Sequence, residues 1–351
     1  MKSVRATALV AGLAATAIAL SACGGSGAST SPGASSGSAT AGGMSVGLAY
    51  DIGGRGDKSF NDSAAKGLDQ AKSELGATVQ ESEAQPNETD ADKEDRLRTL
   101  AEQGAKAVIA VGFAYSGPLA KVAPDYPNVK FAIVDDAAAK ANNITNIVFA
   151  ENEGSFLVGA AAALKSASGT IGFIGGVQTP LIAKFQAGYA AGAAAAKPGT
   201  KVLVQYLTQA PDFTGFNDPA KGQTAAGGLL DQGADVVYQA AGGSGSGVFK
   251  AVAAKTGAKA IGVDSDQYLT ADPAVQKVIL TSMVKNVNVG VFDFIKSVSG
   301  GSVKAGSTLY DLKNKGVGYA TSGGMVSDVA PKLDEFSQQI QSGTIMVPTT
   351  P

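Results

Sequence analysis

Seven side chains spread along the chain carry most of its capacity to bind a small molecule: Asp51, Phe60, Asn61, Asp135, Phe216, Asp264 and Lys285. All but Lys285 stand at or just beyond the carboxyl end of an expected strand, where open α/β folds bind ligands. Facing phenyl rings stack on both sides of a flat ligand, and carboxylates accept hydrogen bonds from hydroxyls or ring N–H groups. The bland alternative for Phe60 and Phe216 is plain core packing. Histidine is absent and the one cysteine is Cys23, which excludes His-based acid/base catalysis, Ser-His-Asp or Cys-His nucleophiles and His/Cys metal sites. The carboxylate pairs Asp135-Asp136 and Asp264-Ser-Asp266 keep an exported hydrolase or a hard-cation site as the alternative; no cofactor or metal is expected.

The elements that must position these groups are legible as strand-loop-helix units. Residues 46–50 read as a buried strand, Gly53-Gly-Arg-Gly56 as a turn, and Ser59 or Asn61 as the cap of a helix starting near Asp62. The pattern returns in the second half: Tyr206 answers Tyr50, and Phe216, Asn217 and Asp218 answer Phe60, Asn61 and Asp62. Internal repetition implies two lobes of similar topology, each presenting a Phe-Asn-Asp at its sheet edge. Gly242-Gly-Ser-Gly-Ser-Gly247 either lets backbone approach a ligand or simply makes a turn. Gly53-Gly-Arg-Gly56 lacks the lysine and hydroxyl of a phosphate-binding loop.

Apolar runs at 79–82, 107–112, 131–135, 170–176, 201–206, 234–241, 258–264 and 278–283 predict strands, with helical spacing between them, and 147–154 followed by 156–164 reads as the passage into the second lobe. The small residues 159–163 imply close helix packing. The fold class is α/β, with two doubly wound parallel sheets. The expected lobes are 44–148 with 281–315 and 149–280 with 316–351, the helix at 287–298 returning the chain to the first lobe.

Length suits two ordinary domains, and 44% hydrophobic content with 17% charge fits a compact α/β body. The formal charge of -2 becomes more negative once Lys2 and Arg5 leave with the leader, so no basic field favours nucleic acid. Residues 1–22 pair those charges with an apolar run too short to span a bilayer, followed by Leu20-Ser-Ala-Cys23. This resembles a bacterial lipoprotein leader, with Cys23 as the lipidated residue. Residues 23–43 then form a Gly/Ser tether holding the body at the outer face of the cell membrane.

With these residues in view, the chain resembles the basic membrane protein family of bacterial lipoproteins, the purine-nucleoside-binding proteins of ABC importers. The resemblance covers residues 46–348. Its markers are Asp57-Lys-Ser-Phe-Asn-Asp62, Phe131-Ala-Ile-Val-Asp135, Glu153-Gly-Ser-Phe-Leu-Val-Gly-Ala160, Ile171-Gly-Phe-Ile-Gly-Gly176, Gly262-Val-Asp-Ser-Asp-Gln267 and Leu280-Thr-Ser-Met-Val-Lys-Asn286. The resemblance implies a type I periplasmic-binding-protein fold whose hinged lobes close on a nucleoside, with an ABC permease as partner and a monomer as the working form. It implies that Phe60 and Phe216 sandwich the base and that Asn61, with Asp51 or Asp135, contacts polar atoms of the ligand. Asp264 and Lys285 would hold ribose hydroxyls, with Gly243 letting backbone come near. The segment 207–215 departs from the family's compact turn, leaving Phe213 as the other candidate for the second ring. A sugar or another small metabolite is the alternative ligand.

Overall fold

The computed structural model describes residues 43–85 and 87–351; the leader, Cys23 and nearly all of the tether lie outside the described residues. Runs of apolar residues buried on both faces, such as Ala107–Ala110 and Val236–Ala240, form the central strands of two parallel sheets. The strands among the described residues are β1 (Ser45–Ala49), β2 (Thr78–Ser82), β3 (Ala107–Ala110), β4 (Lys130–Val134), β5 (Ile144–Phe149), β6 (Thr170–Gln178), β7 (Lys201–Gln209), β8 (Val236–Ala240), β9 (Lys259–Asp264), β10 (Ile279–Lys285), β11 (Gly306–Tyr310) and β12 (Val317–Tyr319). The first sheet runs β2-β1-β3-β4-β5-β11 and the second β7-β6-β8-β9-β10-β12. The second is not wholly parallel, because β12 lies antiparallel to β10. Both sheets reverse their winding beside the first strand, and the groups of interest gather at the carboxyl ends there.

The lobes are joined by three short crossings, after β5, after β10 and between β11 and β12. They are stitched together: Ala150 N donates to Tyr310 O at 2.9 Å, Asn286 N to Gly316 O at 2.8 Å, and Leu312 N to the Glu153 carboxylate at 3.0 Å. β10 pairs with β9 up to Val284 and with β12 from Met283 to Lys285, so residues 281–285 belong to the second lobe. The expected boundary at 281 is thus too early; the chain returns to the first lobe only after Lys285, where helix Val287–Ser299 packs on helix Phe60–Leu75.

The Phe-Asn-Asp repeat does not mark equivalent strands. Phe60 follows β1, a central strand, whereas Phe216 follows β7, an edge strand that matches β2 in the order of the first sheet. A pair that does hold the same place in the two sheets is β4 and β9, the first followed directly by Asp135 and the second ending at Asp264. Both aspartates adopt left-handed backbone, with φ of 66° and 63°, a conformation that aspartate tolerates better than most residues.

The first loop is capped differently from expectation. The helix begins at Phe60, and Ser59 makes no side-chain cap. Asp57 does the capping, accepting from Ser59 N, Asn61 N and Asp62 N at 2.8, 2.9 and 3.1 Å.

Helices Glu151–Lys165 and Pro180–Ala196 pack almost backbone to backbone in the second lobe. A β-carbon at Gly192 would fall 1.9 Å from Phe156 O, and one at Gly159 2.1 Å from Tyr189 O. Gly192→Ala is therefore expected to lower unfolding stability by about 1–3 kcal/mol or more through overpacking, read as a lower urea midpoint at unchanged slope. A variant as stable as wild type would mean that the pair can separate freely.

Candidate functional site

The two lobes enclose a cleft with about 60 Å³ of free space, lined by Phe60, Asp135 and Asp51 from the first lobe and Phe216, Asp264 and Lys285 from the second. Asn61 lines it as well. Its amide is largely committed to the loop: Oδ1 accepts from Asp51 N at 3.0 Å, while Nδ2 donates to Ile52 O at 3.3 Å and Asp57 Oδ2 at 3.1 Å. One Oδ1 lone pair is left, so Asn61 mainly shapes the loop that presents Phe60 and Asp51.

Lys285 is the charge around which the cleft is arranged. Its ammonium is 2% exposed, donates to Asp135 Oδ2 at 2.6 Å and lies 3.5 Å from Asp264 Oδ1. It also sits 4.7, 5.4 and 5.5 Å from the ring centres of Phe60, Phe185 and Phe149, within cation–π range. Burial alone would depress its pKa, but Asp135, Asp264 and Glu151 outweigh burial and hold it above the usual lysine range. Burial raises the Asp264 carboxyl, and Lys285 only partly offsets this. The outer oxygens Asp135 Oδ1 and Asp264 Oδ1 are buried and accept no hydrogen bond among the described residues. Buried acceptors without donors are costly, and a ligand hydroxyl at each would satisfy them.

The remaining walls are apolar or acidic. Asp51 leans on Gly112, where a β-carbon would stand 2.3 Å from its Oδ2 and φ is 101°. Burial pushes both the Asp51 and Asp57 carboxyls up to about 6. With Asp51, Asp57, Asp135 and Asp264 against Lys285, the lining is predominantly acidic. Such a lining disfavours a phosphorylated ligand.

Of the two candidates for the second ring, Phe216 lines the cleft and covers Gly176, where a β-carbon would come within 2.5 Å of the ring. Phe213 instead packs edge-on against Phe113 of the first lobe, with centres 5.7 Å apart, beside a separate groove. Gly243 faces an outer groove with Asn217, while its neighbour Gly242, with φ of 55°, lines the cleft. The expected close approach at Gly243 therefore moves one residue earlier. Phe185 and Leu181 also line the cleft. In sequence Phe185 shares helical spacing with core positions, so nothing there marks it as part of a site.

Behind Lys285 stands Glu151, 1% exposed, the first residue of the helix after the first crossing. Its Oε2 meets Lys184 at 3.3 Å and its Oε1 has no partner among the described residues. Burial, then Asp135, raises its carboxyl to about 7, against the pull of Lys285 and Lys184. The folded protein thus holds a proton that the unfolded chain releases near the ordinary glutamate value, so this group's contribution to stability falls as pH rises towards 7. Glu151→Gln removes that loss. Relative to wild type it is expected to gain on the order of 2–3 kcal/mol between pH 5 and pH 8, read from urea midpoints at the two values. An unchanged difference would mean that Glu151 titrates as an ordinary carboxyl.

Three comparisons place this arrangement among known proteins. Residues 44–351 match the Bmp family model, described as ABC transporter substrate-binding protein PnrA-like. The CD4+ T-cell-stimulating antigen of Listeria monocytogenes is 34% identical, over 88% of this chain and 89% of that protein. The ABC transporter nucleoside-binding protein BmpA of Lactococcus lactis is 33% identical, over 87% and 89%. An ABC transporter solute-binding protein from Aeropyrum pernix superposes with a TM-score of 0.75 at 31% identity, covering 87% of this chain and 93% of that one. The fold is therefore the type I periplasmic-binding-protein fold, built for binding a solute. The chain belongs to the Bmp family of PnrA-like substrate-binding proteins of ABC transporters.

Proposed function

We propose that this protein captures a purine nucleoside between its lobes, outside the cell membrane to which Cys23 anchors it, and delivers it to an ABC permease. The observation that carries the reading is the pair of buried carboxylate oxygens on Asp135 and Asp264, one from each lobe, that accept no hydrogen bond among the described residues, beside the Lys285 ammonium and the phenyl rings. Vicinal hydroxyls of a ribose donate to those oxygens, Lys285 donates to a ribose oxygen, and Phe60 and Phe216 take the base. The acidic lining favours a nucleoside over a nucleotide. The printed name of the Lactococcus lactis relative supports the same ligand class, and the leader and tether support export and anchoring. No covalent step is needed; ligand contacts to both lobes favour the closed state over the open one.

The test is calorimetric titration of the mature chain, unfolded and refolded to remove carried ligand, with inosine, guanosine, adenosine, uridine and ribose. Tight binding of a nucleoside, weak binding of ribose and no turnover are expected. Binding of ribose alone would move the sugar alternative forward, and turnover would revive the hydrolase. Phe216→Ala is expected to weaken nucleoside binding by about 1–3 kcal/mol, the usual worth of a stacked base, while Phe213→Ala costs clearly less. The reverse order would make Phe213 the stacking residue.

A further inference from the structure

Ser59 is fully buried and contributes nothing to the helix cap that its position suggests. Its hydroxyl instead crosses between the lobes, 3.0 Å from Asp264 Oδ2 and 3.2 Å from Val263 O. One hydroxyl has a single proton to give, and the carboxylate is the stronger acceptor. Two return bonds hold the same seam: Ser265 Oγ donates to Ser59 O and Gln267 Nε2 to Lys58 O, each at 3.0 Å. Gln267 is itself fixed, since its Oε1 accepts from Gln239 Nε2 at 2.8 Å and Val263 N at 3.0 Å. Asp264 thus has one oxygen tied to the opposite lobe and the other without a hydrogen bond, 3.5 Å from Lys285.

We propose that Ser59 is a positioning residue through which the first lobe completes the binding carboxylate of the second, so that Asp264 is set to receive a ligand hydroxyl only when the lobes are closed. The proposal rests on the nucleoside reading for the identity of that hydroxyl. In an open protein the Ser59 bond is broken and Asp264 can turn toward Lys285 or water. Closure restores the bond and aims the other oxygen at the ligand. Part of the preference of the ligand for the closed state then comes from a protein–protein bond, which makes Ser59 a determinant of residence time more than of encounter.

The experiment uses the full mature chain in detergent and the nucleoside that it binds best, with the 2′,3′-dideoxy form of that nucleoside. Ser59→Ala is expected to weaken the ribonucleoside about tenfold or more, the usual effect of removing a hydrogen bond to a charged group, mostly through faster dissociation. For the dideoxynucleoside, which has no vicinal hydroxyl to give Asp264, only the part of the loss due to the broken bond between the lobes should remain, so the loss should be clearly smaller. Ser265→Ala, which loosens the seam without removing a hydrogen bond to the Asp264 carboxylate, should weaken both ligands alike. Equal losses for both ligands in Ser59→Ala would overturn the proposal, since a merely structural serine behaves that way. If Ser59→Ala fails to fold, Ser59→Cys, close in shape with a feeble donor, takes its place. A readout without ligand is carbon NMR titration of Asp264, assigned with Asp264→Asn: losing the serine donor should raise its pKa further, and an unchanged value also overturns the proposal. If wild type binds neither ligand, the nucleoside reading fails, and the titration alone decides the role of Ser59.

Discussion

A lysine ammonium buried at the seam between two lobes is the constraint on which the rest of this structure depends. Lys285 ends β10 one residue before the chain crosses back to the first lobe, and an uncompensated charge there would cost several kcal/mol. Compensation has to come from both sides. Asp264, on the neighbouring strand of the same sheet, and Asp135, on the other lobe, supply it. The two aspartates occupy equivalent strand ends and share a left-handed backbone that most residues would resist, so matching turns deliver both carboxylates to one ammonium. The short, cross-bonded crossings keep Asp135 near Lys285.

This arrangement explains why a binding protein would retain so much buried charge. A buried ion pair is seldom better for stability than well-packed apolar residues. Here the charges leave two buried carboxylate oxygens without a hydrogen bond among the described residues, one of them ion-paired with Lys285, and the rings around Lys285 pack beside its ammonium. Away from the crossings the lobes also touch at Ser59 with Asp264 and at Phe113 with Phe213. Groups that line the cleft thus also hold the lobes together.

Much of the fold was legible because parallel strands covered on both faces are written as uninterrupted apolar runs. β3, β4, β6, β8 and β9 all read that way. β11 and β12 did not: β11 is largely exposed and polar, and β12 has only three residues, so neither carries a periodicity to detect. The Phe-Asn-Asp repeat drew attention to the two rings that face the cleft while suggesting a wrong equivalence between strands, since local similarity says nothing about place in a sheet. Serine and asparagine are both good capping types, so residue type points to Ser59 or Asn61 as the cap; Asp57 reaches the N–H groups of the first turn with a charge, and Ser59 bonds to the other lobe instead.

By itself, the sequence determined the α/β class, the two-lobed plan, the absence of histidine and internal cysteine chemistry, and the identity of nearly all the polar groups that meet in the cleft. Those properties follow from composition, periodicity and residue type, which are local. Tertiary structure alone decided that Lys285 lies in the second lobe, that Phe216 rather than Phe213 turns inward, that Gly242 rather than Gly243 lines the cleft, and that Ser59 reaches Asp264. Each of these depends on which segments tertiary packing brings together. Partners more than a hundred residues apart leave no trace in the spacing of either segment, because only packing of the two sheets brings them within hydrogen-bond reach.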